Sequence, residues 1–155
     1  MLTLPGNLVV NATGPPGAPV SFSATANDLV DGPRRVTCVP ASGSTFAIGA
    51  TTVACSASDT HGNIAVGSFV VYVESAAEQL LDLKSAVAGV GPGNSLTAKV
   101  NSAVQSVQGG HGAAACTALN AFVQGVRAQT GKKLTVPQAN QFIADASRIE
   151  AVLKC

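Results

Sequence analysis

Apolar and polar positions along this chain follow two different periods, and the change falls at Glu74. Before it the repeat is two residues, the period of a strand whose alternate side chains face opposite sides. Val20, Phe22, Ala24 and Ala26 alternate with Ser21, Ser23 and Thr25, which predicts a half-buried strand with a polar outer face. Leu8-Val9-Val10 reads as a shorter strand ahead of it, set off by the Gly14-Pro15-Pro16-Gly17 turn, and Asp28 to Pro33 reads as a turn-rich connection. Val36 and Cys38 share one parity, as do Val53 and Cys55, so each cysteine sits on the apolar side of its own strand. Asp59-Thr60-His61-Gly62-Asn63 is a hairpin loop by composition. In the last strand Phe69, Val71 and Val73 share a face. Ile64 and Val66 have the other parity, which places a bulge and an exchange of faces at Gly67. Short strands at regular spacing with Gly/Pro turns predict a β-sandwich.

After Glu74 the period becomes helical. Ser75-Ala76-Ala77-Glu78 is a capping box, followed by Leu80, Leu81, Lys84, Val87 and Ala88, with Gly89 to Gly93 as the stop. A second helix fits Ser95 to Val107, with Leu96, Val100, Ala103, Val104 and Val107 on its stripe. Gly109-Gly110-His111-Gly112 breaks it, and a third runs from Ala113 to Thr130, burying Leu119, Phe122, Val123 and Val126. The fourth starts at Thr135, which forms a second capping box with Gln138, and has Pro137 in its first turn. Its stripe is Phe142, Ile143, Ala146, Ile149, Val152 and Leu153.

These patterns predict an α+β chain in two segregated parts: an antiparallel β-sandwich over residues 1–74 and a four-helix bundle over residues 75–155. No flexible linker separates Val73 from Ser75. Much of the apolar content is Ala and Val, and there is no Trp. Such a core buries little area per side chain, so cross-links matter. Four cysteines in a chain of this kind point to two disulfides and an oxidising compartment. Of the three possible pairings we expect Cys38 with Cys55 and Cys116 with Cys155, because each pair then stays within one half. The short Gly131-Lys132-Lys133-Leu134 loop makes the last two helices antiparallel neighbours. At about 1.5 Å per residue their arms reach from the turn to Cys116 and to Cys155 over roughly 20 and 28 Å, so a staple closes the open end.

The Thr37–Phe46 and Ile48–Cys55 stretches, with Ala12-Thr13-Gly14 and Asp59-Thr60-His61-Gly62-Asn63, closely resemble the HYR (hyalin repeat) module over residues 4–74. That resemblance implies an immunoglobulin-like sandwich, a Cys38–Cys55 pair, and a place in adhesive or spacer regions of secreted or surface multidomain proteins. It carries no catalytic residues. Asn94 to Val100, Ala118 to Val123 and Gly131 to Thr135 resemble the FIMAH module, which implies the C-terminal region of a secreted bacterial protein.

Candidate chemistry is thin. The cysteines stand alone rather than in the close pairs a zinc site uses. His61 and His111 are the only conventional bases, and neither a nucleophile elbow nor a phosphate loop occurs. No enzyme activity, cofactor or metal site is therefore expected. Asp28, Asp31, Asp59 and Asn63 are the candidates for calcium, which takes several loop oxygens; the same residue types also cap turns. Arg34-Arg35 and Lys132-Lys133 are too short to track a phosphate backbone, so nucleic acid is not an expected partner. No apolar run is long enough to span a membrane, and the opening residues lack the regions of a signal peptide. An exported protein of this sequence is expected to be a mature part of a larger polypeptide with neighbouring domains. Its partner, protein or glycan, stays unidentified, and with Tyr72 as the one Tyr there is little aromatic platform for sugars. The function expected is a non-catalytic extracellular adhesion or spacer module; the alternative is a carbohydrate- or cell-wall-binding accessory module.

Overall fold

The change of period at Glu74 is a change of secondary structure. The computed structural model describes residues 1–91 and 94–155. Pro92 and Gly93, the end of the stop read after the first helix, lie outside the described residues. Among those described, nine strands precede four helices, an α+β arrangement. By contacts the chain forms two units, Met1–Val10 with Pro16–Val73 and Asn11–Pro15 with Glu74–Cys155.

The strands are β1 Leu2–Thr3, β2 Leu8–Asn11, β3 Ala18–Pro19, β4 Thr25–Asp28, β5 Gly32–Arg34, β6 Val36–Val39, β7 Thr45–Phe46, β8 Gly49–Ser58 and β9 Ile64–Glu74. They form sheets of order β1-β4-β5, β2-β9-β8-β6 and β3-β7. The longest pairing, β8 with β9, runs in unbroken register from Ser58 opposite Ile64 to Gly49 opposite Val73. The bulge expected at Gly67 is therefore absent, and the faces never exchange. Ala65, Gly67, Phe69, Val71 and Val73 all point inward, while Ile64 and Val66 lie on the solvent face, 69% and 77% exposed. Gly67 has a different reason. A Cβ there would lie 2.9 Å from Leu4 Cδ1 and 3.5 Å from Leu2 Cδ2, so the glycine is the socket through which the β1 region packs on the larger sheet.

Phe46, Val53, Cys55, Phe69 and Val71 form the buried centre, and Phe22 meets Phe69 edge-on with ring centroids 4.9 Å apart. At Gly17, φ is +116° and a Cβ would lie 1.8 Å from the Phe46 carbonyl oxygen, a place only glycine can occupy. Cys38 and Cys55 stand directly opposite each other on β6 and β8 and are joined by a disulfide.

Two sequence expectations change here. The strand expected from Val20 to Ala26 forms only from Thr25; residues 20–24 keep the alternation but have no neighbouring strand. The turn expected from Asp28 to Pro33 narrows to residues 29–31, because β4 continues through Asp28 and β5 begins at Gly32. Pro33 is tolerated in β5 because that strand is the edge of its sheet.

The second unit holds α1 Ala76–Val87, α2 Ser95–Gln108, α3 Gly112–Gln129 and α4 Val136–Leu153. Both capping boxes form, Ser75 with Glu78 and Thr135 with Gln138. α1 touches α2 and α4, α2 touches α3, and α3 touches α4, closing the bundle. The stripes of α2, α3 and α4 are buried as expected at Leu96, Val100, Leu119, Phe122, Ala146 and Ile149. That of α1 is rotated: Ala76, Gln79, Leu80, Leu83 and Val87 face inward, and Leu81, Lys84 and Ala88 face solvent. The disulfide Cys116–Cys155 joins the start of α3 to the end of α4, with Cα atoms 5.6 Å apart.

The reason for the rotation is Gln79, 2% exposed. Its Nε2 donates to the carbonyls of Ala12 and Glu74, both at 3.1 Å, and its Oε1 accepts from Arg148 Nε at 2.8 Å. Arg148 is held in turn by Asp145 at 2.9 Å. The Ala12 N–H donates to the Glu74 carbonyl at 3.0 Å, so the Asn11–Pro15 segment is held to this unit by main chain and side chain together. Polar groups left unpaired in such a place cost about 1–3 kcal/mol each. Gln79→Ala is therefore expected to destabilise this unit by roughly 2–4 kcal/mol in urea unfolding. Gln79→Glu, which can hold Arg148 but cannot donate to the carbonyls, should also destabilise; loss of less than about 0.5 kcal/mol in both would contradict the hub.

Candidate functional site

Two hairpin tips carry most of the titratable side chains of the strand unit. The β4–β5 turn is organised by Asp28, whose Oδ1 accepts from the N–H groups of Val30 and Asp31 at 2.9 and 3.1 Å. This forces residues 29–31 into a tight bend and leaves Leu29 and Val30 on the outside, fully exposed at the tip. In the β8–β9 turn Asp59 does the same more completely. Its Oδ1 accepts from the N–H groups of His61 and Asn63 at 2.9 and 2.8 Å, and its Oδ2 from Asn63 Nδ2 at 2.6 Å.

The tips are tied to each other by Asp31. Its Oδ2 accepts from the Thr60 N–H at 3.0 Å and from the Thr60 hydroxyl at 2.7 Å, and lies 3.7 Å from His61 Nδ1. A cleft of about 140 Å³ runs beside them, lined in part by Asn27, Arg34, Ser58 and Ile64, and Arg34 Nε donates to the Ser58 carbonyl across it at 3.2 Å.

The hydrogen bonds set the electrostatics. The Asn63 amide, followed by the main-chain N–H groups of Asn63 and His61, holds the Asp59 carboxyl below the ordinary aspartate range. The Val30 and Asp31 N–H groups do the same for Asp28.

Of the four calcium candidates, Asp31 and Asp59 are brought together and Asp28 is not part of their cluster. Asn63 stands beside Asp59 and meets it through the amide nitrogen, which donates rather than ligates. His61, isolated in the sequence and outside the calcium candidates, joins Asp31 and Asp59: one ligand atom from each lies within 4.8 Å of the others. Two carboxylates and an imidazole are the donor set of a transition ion rather than of calcium, which takes oxygen ligands throughout. Three N–H donors already bind Asp59 and two donors bind Asp31 Oδ2, so the constellation as it stands ties the two loops together.

Nor is it a nucleophilic site. Thr60 Oγ1 is 3.4 Å from His61 Nδ1 but gives its proton to Asp31 at 2.7 Å, so the hydroxyl is held by the acid and not activated by the base. The contiguous Asp59-Thr60-His61 was the one signal for this cluster in the sequence; the share of Asp31 in it depends on the approach of a second hairpin. His111, the other histidine, is exposed at the N-cap of α3 and makes no side-chain cap bond. Tyr72 lies half-buried on β9.

Residues 4–73 match the family model of the HYR domain. No curated protein and no solved structure matches the chain.

The depressed carboxyls of Asp28 and Asp59 give the tips a defined response to acid. A carboxyl whose folded pKa lies below its unfolded value stabilises fully above the unfolded value, and the effect is lost as pH falls through the folded one. The amide signals of His61 and Asn63 should therefore move together in an NMR titration, with a midpoint below that of a free aspartate. Asp59→Asn should remove the transition; a midpoint at or above the free-aspartate value would contradict the hydrogen-bond account.

Proposed function

We propose that this chain, with an HYR-type segment as its strand unit, is a non-catalytic extracellular module that spaces or joins parts of a larger secreted or surface protein. The observation that carries the reading is the use of every cysteine in a disulfide, one in each unit. Such bridges persist where thiols are not kept reduced. The HYR match over residues 4–73 supports an adhesion-type role for the strand unit, and no helix among the described residues is long and apolar enough to cross a membrane. The helical unit is consistent with a FIMAH-like C-terminal module of a bacterial protein in having four helices, the first and last opened by capping boxes. The cluster at the tips, with its hydroxyl held by an acid, supports the absence of catalysis.

Alkylation of the native protein tests the compartment: no cysteine should react before reduction, and all four after it. Replacing Cys38 and Cys55 together by Ser should cost the strand unit about 3 kcal/mol, and replacing Cys116 and Cys155 should cost the helical unit roughly 4 kcal/mol, the longer loop losing more. Free thiols in native material, or turnover of ester, peptide or glycoside substrates by the purified chain, would overturn this reading. Saturable binding to a cell-wall polysaccharide would replace it by that of a carbohydrate-binding accessory module.

A further inference from the structure

The β4–β5 hairpin comes apart at one end, and a groove lies where it opens. Its register pairs Asp28 with Gly32, Asn27 with Pro33 and Ala26 with Arg34. Continued, the same register would bring Ala24 opposite Val36 and Phe22 opposite Cys38. At Arg35 the chain instead leaves the three-stranded sheet and enters the four-stranded one as β6; Val20 bonds through its main chain to Gly43 and Ser44, and residues 21–24 are left without a partner strand. The residues that would have been partners, Phe22, Ala24, Val36 and Cys38, now line a groove of about 380 Å³.

Their main-chain groups point into it. Asn27 donates its N–H to the Met1 carbonyl, and its own carbonyl takes the Met1 amino group, so both its polar groups face β1. Alternation then turns those of Ala26 toward Arg34 and those of Ala24 toward the side where Val36 would be. On the opposite wall, Cys38 and Cys55 have Cα atoms 4.0 Å apart. That is the spacing of a non-hydrogen-bonded antiparallel pair, about 4.5 Å against about 5.5 Å for a bonded one. The N–H and C=O of Cys38, and by alternation those of Val36, therefore point away from β8 and toward the opening. Ser42 closes the far end. Its hydroxyl accepts from the Phe22 N–H and donates to the Phe22 carbonyl, each at 2.8 Å, in the position a strand neighbour would fill.

Arg35 is the sole charged side chain lining the groove, and it is exposed. Neither ion pair among the described residues involves it. A wall of main-chain donors and acceptors at strand spacing suits an extended peptide; a cation with no carboxylate in the lining suits an acidic one.

We propose that this groove takes a short extended segment of a partner protein bearing a carboxylate. Its backbone pairs with Val36 and Cys38 on one wall and Ala24 on the other, and its acid meets Arg35. Val36 to Cys38 spans about 7 Å, so two or three residues enter and the contact is weak and reversible. The proposal rests on the interaction reading above and supplies the site and chemical class of the partner.

The test is a titration of the ¹⁵N-labelled full chain with the acetylated, amidated peptide Ser-Thr-Val-Asp-Val-Ser to about 5 mM, in the range of weak peptide contacts. Saturable shifts and slowed hydrogen exchange are expected at the amides of Ala24, Val36 and Cys38. Exchanging Asp for Lys in the peptide, or Arg35→Glu in the protein, should weaken the dissociation constant at least about tenfold. Unchanged signals of Val53 and Val71 show that the variant is folded. No shift at the three amides, or shifts that the Lys peptide and Arg35→Glu leave unaltered, would overturn the groove. Shifts confined to Thr60 and His61 would overturn it too, while keeping the interaction reading and moving its site to the hairpin tips.

Discussion

The antiparallel register across β6, β8 and β9, with Cys38 and Cys55 bonded directly opposite each other, is the constraint from which the strand unit follows. Because side chains alternate with a period of two, a slip of one residue would turn every inward side chain out. The bridge holds this registration where few large side chains could. It keeps Val53, Cys55 and Ala57 of β8 inside and lines them up with Ala65, Gly67 and Phe69 of β9. The same alternation decides where the main chain points, and so turns the polar groups of Val36 and Cys38 toward the open edge.

The helical unit answers the same shortage of bulk differently. Its core is Leu, Val, Ala and Ile149 with two phenylalanines, Phe122 and Phe142, whose ring centroids lie 6.4 Å apart. Small side chains permit close approach, but they specify rotation about a helix axis weakly, since many orientations bury similar area. In α1 the choice is made by Gln79, whose amide has two carbonyls and a guanidinium to satisfy. A buried polar group with three fitting partners has few alternative positions.

The two hairpin tips show why acidic loops invite readings as metal sites. Asp28 and Asp59 use their oxygens to shape their own turns, and Asp31 uses its to join the tips. What remains outward is a pair of apolar residues, Leu29 and Val30, and an exposed imidazole.

The sequence by itself determined the sites of the helices, both capping boxes and the α+β division, because capping and periodicity are local and repeat within a few residues. Its isolated cysteines also carried the pairing within each half, which the two disulfides bear out. Tertiary structure decided what depends on a neighbour. Val20 to Ala24 has the alternation of a strand, yet Val20 bonds to Gly43 and Ser44, and whether Ala24 pairs depends on where β6 goes after Arg35. Ile64 and Val66 are apolar, and their parity implied an exchange of faces; the unbroken partner strand β8 leaves them exposed instead. Gln79 gives no sign of burial in the sequence, because the carbonyls of Ala12 and Glu74 are brought to it only by the fold. The approach of Asp31 to Thr60 and the opening beside Arg35 likewise arise between segments distant in the chain, where no local pattern reaches.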